Sequence, residues 1–221
     1  MRKLYELVGA DPDRHFSQNC WRIRLALHLK GLDFESVPWR FSEREVLAFA
    51  NTDRVPVLVD GERVVPDSWA ILQYLEDTYP EGESLFGDAV ARAEAEFIRH
   101  WTERVVHAQL GPMIMRGIWS RLGPADQGYF RETRQARFGK TLEELEAEIP
   151  ERLPRFREAI APLRATVEAQ PFIAGERPRV PDLLIYAAFL WARHGSDLEP
   201  LAEEDPVAAW RGRMDAEYAQ A

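Results

Sequence analysis

Apolar positions recur along the chain with two different periods, and the switch between them divides it. Through residues 1–80, short β-rich runs alternate with helical spacing. Residues 3–8 read as a strand, and residues 9–16 as a polar loop holding Asp11, Pro12 and Asp13. From Asn19 onward, Trp21, Leu25, His28, Leu29 and Leu32 fall at i, i+4, i+7, i+8 and i+11, one face of a helix that Gly31 can stop. Residues 34–40 read as a second strand. Ser42 followed by Glu45 is a capping-box pattern and predicts a short helix over 42–49. Two β-rich runs, 55–59 and 62–65, flank Asp60-Gly61, a strong hairpin signal. Asp67 and Ser68 then precede a helix with Ile71, Leu72, Leu75 and Tyr79 on its apolar face.

Beyond a stretch of polar turn formers, residues 80–88, strand signals nearly vanish. Val90, Ala93, Phe97, Trp101 and Val105 mark one long helix. Leu142, Leu145 and Ile149 mark another, and Phe156, Ile160, Leu163 and Val167 a third. Residues 181–192 are apolar almost all round, which places that helix at the centre of a helical domain. Pro181 suits a helix start, and Asp182 favours the positive end of its dipole. The expected layout is β-α-β-α-β-β-α followed by helices only. The expected domains are 1–80, a linker over 81–89, and an all-helical unit over 90–221.

Composition narrows the chemistry. The chain has 221 residues, 46% hydrophobic, 29% charged and a net charge of -9, so a phosphate backbone is an unsuitable partner. No nucleic-acid partner and no membrane span are expected. Its one cysteine, Cys20, excludes an internal disulfide and a Cys-rich zinc site. A reducing, cytoplasmic setting is the expectation. The five histidines show no metal spacing, so no metal is expected.

Three features of the first domain carry chemistry. Ser17 lies where a helix begins, so its hydroxyl and nearby N–H groups can favour an anion; it also suits a plain helix cap. Val55-Pro56 opens a strand, and X-Pro is the dipeptide in which a cis peptide is cheap, although a trans proline on an edge strand fits as well. Asp67-Ser68 stands at a helix mouth, where unpaired N–H groups suit a carboxylate or simply meet an N-cap.

In this order and at these spacings, residues 17–31 (SQNCWRIRLALHLKG), 53–60 (DRVPVLVD) and 66–75 (PDSWAILQYL) resemble the corresponding segments of cytosolic glutathione transferases. Trp21-Arg22, Arg54-Val55-Pro56-Val57 and Asp67-Ser68-Trp69 further resemble the serine-containing bacterial β-etherases and the fungal etherase-like class. The resemblance spans nearly the whole chain and is strongest before residue 80. It implies a two-domain α+β fold: a thioredoxin-like α/β domain with a mixed four-stranded sheet, then an all-α domain. It also implies glutathione as co-substrate, a hydrophobic second substrate, and a homodimer.

By the same resemblance, Ser17 stabilises the glutathione thiolate. Val55, before a cis Pro56, clamps the cysteinyl backbone, and Asp67 and Ser68 anchor the γ-glutamyl group. Arg40, Asn51 and Arg54 are further polar contacts. Between the domains, Phe16, Trp101, Met113, Met115, Ile118 and Trp119 are expected to wall a pocket for an aromatic electrophile, β-aryl ether cleavage being one reaction it would serve. Two positions depart from the family pattern: Gln18 where Pro is frequent, and Arg179 where a capping Ser, Thr or Asn precedes Asp182. Two other functions compete: a non-catalytic ligand-binding or protein-interaction module on the same fold, and a thiol–disulfide oxidoreductase using Cys20.

Overall fold

The computed structural model describes residues 1–219. Strand β1 (Arg2–Leu7) pairs in parallel with β2 (Phe34–Trp39) and antiparallel with β3 (Val57–Asp60), which turns at Gly61 into β4 (Arg63–Pro66). The sheet order is β2-β1-β3-β4, the mixed four-stranded sheet that the sequence implied. The turn demands φ +59 at Gly61, a left-handed value that glycine adopts freely. Helices α1 (Gln18–Leu29) and α2 (Ser68–Thr78) cover the sheet. Val55-Pro56 is cis, and β3 starts only at Val57, since Pro56 has no N–H for the ladder.

Between β2 and β3 the chain forms a 3-10 segment, Phe41–Ala50, in place of the regular helix expected over 42–49. Its box is set two residues earlier than the sequence suggested. The Arg40 N–H donates to the Glu43 carboxylate (3.1 Å), while the Ser42 N–H donates to Asp126 of the helical domain (2.7 Å). A tertiary acceptor thus displaced the local Ser42/Glu45 cap.

The helical domain holds α3 (Ala89–Trp101), α4 (Ala108–Arg121), α5 (Pro124–Phe138), α6 (Leu142–Ala147), α7 (Ile149–Ala159), α8 (Ala161–Ala169), α9 (Val180–Gly195) and α10 (Pro206–Glu217). A π-helical turn, Thr102–His107, joins α3 to α4. The two helices expected around 142–167 are three. Pro150 and Pro162 sit in the first turns of α7 and α8, where a missing N–H is harmless, and each starts a new helix. On α3 part of the apolar stripe faces outward: Val90 and Phe97 are exposed, whereas Ala95 is buried and Ile98 and Trp101 are partly buried against the core.

Helix α9 is central, as its composition required. It is buried on nearly every side and packs against α1, α3 and α4. Side chains from both domains share one core, with Ile23, Leu25 and Leu27 of α1 in the same cluster as Leu183, Leu184 and Phe189 of α9. Close backbone approach tightens both the helical domain and its seam with the first. A Cβ on Gly117 would stand 2.6 Å from the Cβ of Ser196, and one on Gly9 would stand 2.5 Å from the Arg121 carbonyl oxygen. The segment between α2 and α3 is tied down by Glu76, which pairs with Lys30 (2.8 Å) and accepts from the Leu85 N–H (2.9 Å). No described helix is long and apolar enough to cross a membrane.

Candidate active site

Ser17 is the N-cap of α1. Its Oγ accepts from the Cys20 N–H at 3.4 Å, its backbone is extended, and the side chain is nearly buried at the edge of a cavity between the domains. Accepting that bond leaves the hydroxyl hydrogen free to donate to a group in the cavity. Cys20 lies one turn inside α1 with no exposed surface, and burial pushes its thiol up to about 12. At neutral pH it is a protonated core residue, inaccessible to a disulfide partner.

Val55 borders the same cavity. Its N–H and C=O make no hydrogen bond among the described residues, because β3 begins two residues later. Such a free edge can accept a short extended peptide. Asp67 caps α2 through Oδ1, which accepts from Trp69 N (2.9 Å) and Ala70 N (3.0 Å). It does so at φ +75, a strained left-handed value for a residue with a side chain, and strain of this kind gathers at ligand sites. Ser68 behind it is buried.

A residue outside the expected site completes this corner. Arg22 of α1 is 1% exposed, yet its nearest polar partner is the Ser68 Oγ at 3.5 Å, and its Nε has none. Burial holds the guanidinium down at about 10. A buried cation with no carboxylate within ion-pair distance among the described residues, Glu103 and Asp67 acting on it only from farther off, is costly unless a ligand supplies the counter-charge. The signal in the sequence was an arginine on the inner face of an apolar helix, one position after Trp21.

The remaining expected contacts divide. Arg54 borders the cavity from the surface and pairs with Asp53 at 3.8 Å. Arg40 is turned to structure, its Nε donating to the Gly9 carbonyl (3.2 Å) and its Nη1 facing Glu43 (3.5 Å). Asn51 is the left-handed cap of the 3-10 segment, φ 50, and does not border the cavity.

The cavity measures about 550 Å³. Of the residues named for the second-substrate pocket, Phe16, Met115 and Ile118 line this cavity, whereas Met113 lies in the core behind it. Trp101 and Trp119 are elsewhere. The guanidinium groups of Arg116 (4.4 Å) and Arg131 (4.5 Å) both lie over the Trp119 ring. The wall is also far more polar than the sequence suggested, since Arg44, Arg54, Arg134, Arg137, Asp53, Glu103 and His107 border it. Glu103 and His107 reach it from the π turn, a form of helix that often marks functional sites. His107 stands edge-on to Trp191 (5.8 Å), and burial lowers its imidazole to about 3, so the ring is neutral at working pH.

A thioredoxin-like sheet carrying a free strand edge and a capping serine, joined across a cleft to a helical bundle, defines a two-domain protein of the transferase type. Residues 93–220 match the family model described as glutathione S-transferase, C-terminal domain, and residues 12–83 the one described as glutathione S-transferase, N-terminal domain. The chain belongs to the glutathione S-transferase family. It is similar to a "Glutathione S-transferase zeta class" protein of Euphorbia esula, 39% identical over 115 residues, covering 49% of each chain. It is similar also to the maleylacetoacetate isomerase of Pseudomonas aeruginosa, 38% identical over 85 residues, 35% of this chain and 40% of that protein. The chain spans about half the length of the curated relatives it matches, or less. Among solved structures, the glutathione transferase GSTFuA3 of Phanerochaete chrysosporium superposes with a TM-score of 0.87 at 25% identity, covering 98% of this chain and 96% of that one.

Proposed function

We propose that this protein binds glutathione along the Val55 edge, holds its sulfur as a thiolate with the Ser17 hydroxyl, and directs that thiolate at an electrophilic carbon in the cavity. The observation that carries the reading is the Ser17 hydroxyl, free to donate, in the same cavity as the unpaired Val55 backbone. In a displacement, the sulfur forms a bond to carbon and the leaving group departs with the electron pair of the bond it breaks; in an isomerisation, the sulfur adds to carbon and is itself expelled again with that electron pair. Two reactions compete for this thiolate. The motifs of the first domain suggest displacement at a β-aryl ether, and the name of the Pseudomonas relative suggests isomerisation. Calorimetric titration with glutathione, followed by turnover of an electrophile panel that includes a β-aryl ether, tests the proposal. Heat of binding and glutathione-dependent turnover are expected. A protein that ignores glutathione yet binds aromatic ligands would be a carrier module instead. The burial of Cys20 weighs against thiol–disulfide exchange.

Arg22 gives the γ-glutamyl carboxylate a buried counter-ion through Ser68. Arg22→Met is expected to weaken glutathione binding by about 10- to 100-fold, the worth of a charged hydrogen bond. The melting temperature of the free protein should hold or rise, because an uncompensated buried charge has been removed. Calorimetry and thermal unfolding read the two effects separately, and a parallel loss of both would make Arg22 a folding residue only.

The same reading includes a homodimer. Val90 (65% exposed) and Phe97 (71% exposed) lie seven residues apart on one face of α3, an apolar stripe that water disfavours. Phe97→Glu is expected to convert a dimer to a monomer, measured by light scattering after size exclusion. A monomeric parent protein would end that part of the proposal.

A further inference from the structure

The cavity opposite Ser17 is walled by more positive charge than glutathione needs. Its two acids are already committed: Asp53 to Arg54 at 3.8 Å, and Glu103 to Arg99 at 3.6 Å. Arg44, Arg134 and Arg137 have no carboxylate within ion-pair distance among the described residues. This is unusual in a chain of net charge -9, where acidic side chains outnumber basic ones, 37 to 28. Arg44 stands on the 3-10 segment that leads to Val55, on the glutathione side, over the Tyr129 ring (4.1 Å).

Arg134 and Arg137 belong to the other wall. They sit at i and i+3 on α5, so their side chains are neighbours of like charge. Arg134 is half-buried and fixed against Phe130 (4.4 Å) and Phe41 (5.5 Å), and its Nη1 donates to Thr133 Oγ1 (2.9 Å). Arg137 makes no side-chain hydrogen bond to the described residues and lies over Phe138 (5.5 Å). Burial and the nearby Arg137 charge both press against the ionised form of Arg134. Beside them, the His107 Nε2 is buried, borders the same cavity and has no partner. Two guanidinium groups with no carboxylate partner among the described residues, the exposed Arg137 and the half-buried Arg134 with one N–H on Thr133, share one concave space with a ring nitrogen that donates in its Nε2–H tautomer. Guanidinium geometry matches a carboxylate through two parallel N–H bonds.

We propose that the second substrate is an anion: a carboxylate-bearing electrophile whose acid group is held by Arg134 and Arg137, with the His107 ring against it, while its reactive carbon faces the sulfur site at Ser17. This rests on the glutathione reading for the reaction, but not for the binding. The carboxylate is an anchor and is unchanged by the reaction. Sulfur bonds to the electrophilic carbon, and, in a displacement, halide or another leaving group departs with its electron pair.

The test pairs molecules that differ only in the acid group. Calorimetry compares dinitrobenzoate with dinitrobenzene, which need no glutathione chemistry, and kinetics compares chlorodinitrobenzoate with chlorodinitrobenzene at saturating glutathione. The native protein is expected to bind the acid at least about tenfold tighter than the neutral ring, and to show a similar preference in kcat/KM. The double variant R134M/R137M should lose that preference, and R134K/R137K, which keeps both charges, should retain much of it. Equal affinity for acid and neutral ring in the native protein overturns the proposal, as does a preference that survives in R134M/R137M. A matching loss of glutathione affinity in that variant would assign the arginines to glutathione and overturn it too. Acid preference in binding without any glutathione-dependent turnover would keep the anion site and sink the transferase reading. Normal turnover of chlorodinitrobenzene with no acid preference would do the reverse.

Discussion

Replacing Ser17 by alanine is expected to lower glutathione-dependent turnover at pH 7 by roughly 10- to 25-fold, with little change in the affinity for glutathione. A free thiol with pKa ~8.5 is only a few per cent ionised at neutral pH. One hydroxyl donor beside the sulfur, at the start of a helix, favours the thiolate over the thiol and so lowers its pKa. A shift of about two units, near 2.7 kcal/mol, makes most of the bound glutathione reactive at pH 7. The sign follows from which form reacts. Without the hydroxyl the pKa rises, so the rising limb of kcat against pH moves toward higher pH, and the gap between variant and parent closes in alkali. Binding should survive because the proposed site holds the peptide elsewhere, at the free Val55 edge and around Ser68. The helix loses a cap, about 1 kcal/mol, which thermal unfolding will register separately. Parental activity with an unshifted pH profile would remove Ser17 from the chemistry.

The first domain was legible because its signals are local. Asp60-Gly61 between two β-rich runs fixes the hairpin of β3 and β4, and the period change after Asn19 fixes α1. The capping role of Asp67 was open to either reading, and the structure shows the cap together with a strained backbone. The helical domain was legible only where periodicity and burial agree. Helix α4 escapes the spacing rules, since Gly111, Pro112 and Gly117 interrupt a surface buried on most sides. Helix α5 escapes them because much of what it presents is charge. That omission hid the cavity's chemistry, for Arg134 and Arg137 lie on α5. A signal existed: neither arginine has an acidic residue three or four positions away, so the stripe has no neutralising neighbour on its own helix. The stripe on α3 located its helix but not what that stripe faces. Val90 and Phe97 keep helical spacing, and periodicity alone cannot tell a core face from a face meant for another surface.

The largest expected loss of stability follows from Asp182→Ala. This carboxylate is fully buried near the start of α9 and accepts four N–H donors: Ile173 N (2.7 Å), Ala174 N (3.1 Å), Arg179 N (3.2 Å) and Trp210 Nε1 (3.0 Å). Half of the family's capping box therefore persists in spite of Arg179, since the backbone N–H serves whatever side chain it carries. The Arg179 guanidinium instead donates to the Ser84 carbonyl (2.6 Å) and ties α9 to the segment between α2 and α3. Removing the acceptor strands donors from three separate pieces of chain, the 173–174 turn, the start of α9 and α10. Each stranded donor costs about 1–3 kcal/mol. Entry of water into the vacated space recovers part of that, leaving about 3–5 kcal/mol, in line with breaking a buried charged pair. At about 2–4 °C per kcal/mol for a chain of this size, the melting temperature should fall by roughly 6–20 °C. Asp182→Asn keeps one acceptor oxygen but turns an NH₂ group toward donors, so its loss should lie between the two. Because α9 packs directly on α1, whose first turn carries Ser17, loosening α9 loosens the frame of the thiolate site. Turnover of Asp182→Ala should therefore approach the parental value in the cold and fall away at a lower temperature than it does in the parent. A uniform deficit at every temperature would place Asp182 in the chemistry rather than in the scaffold.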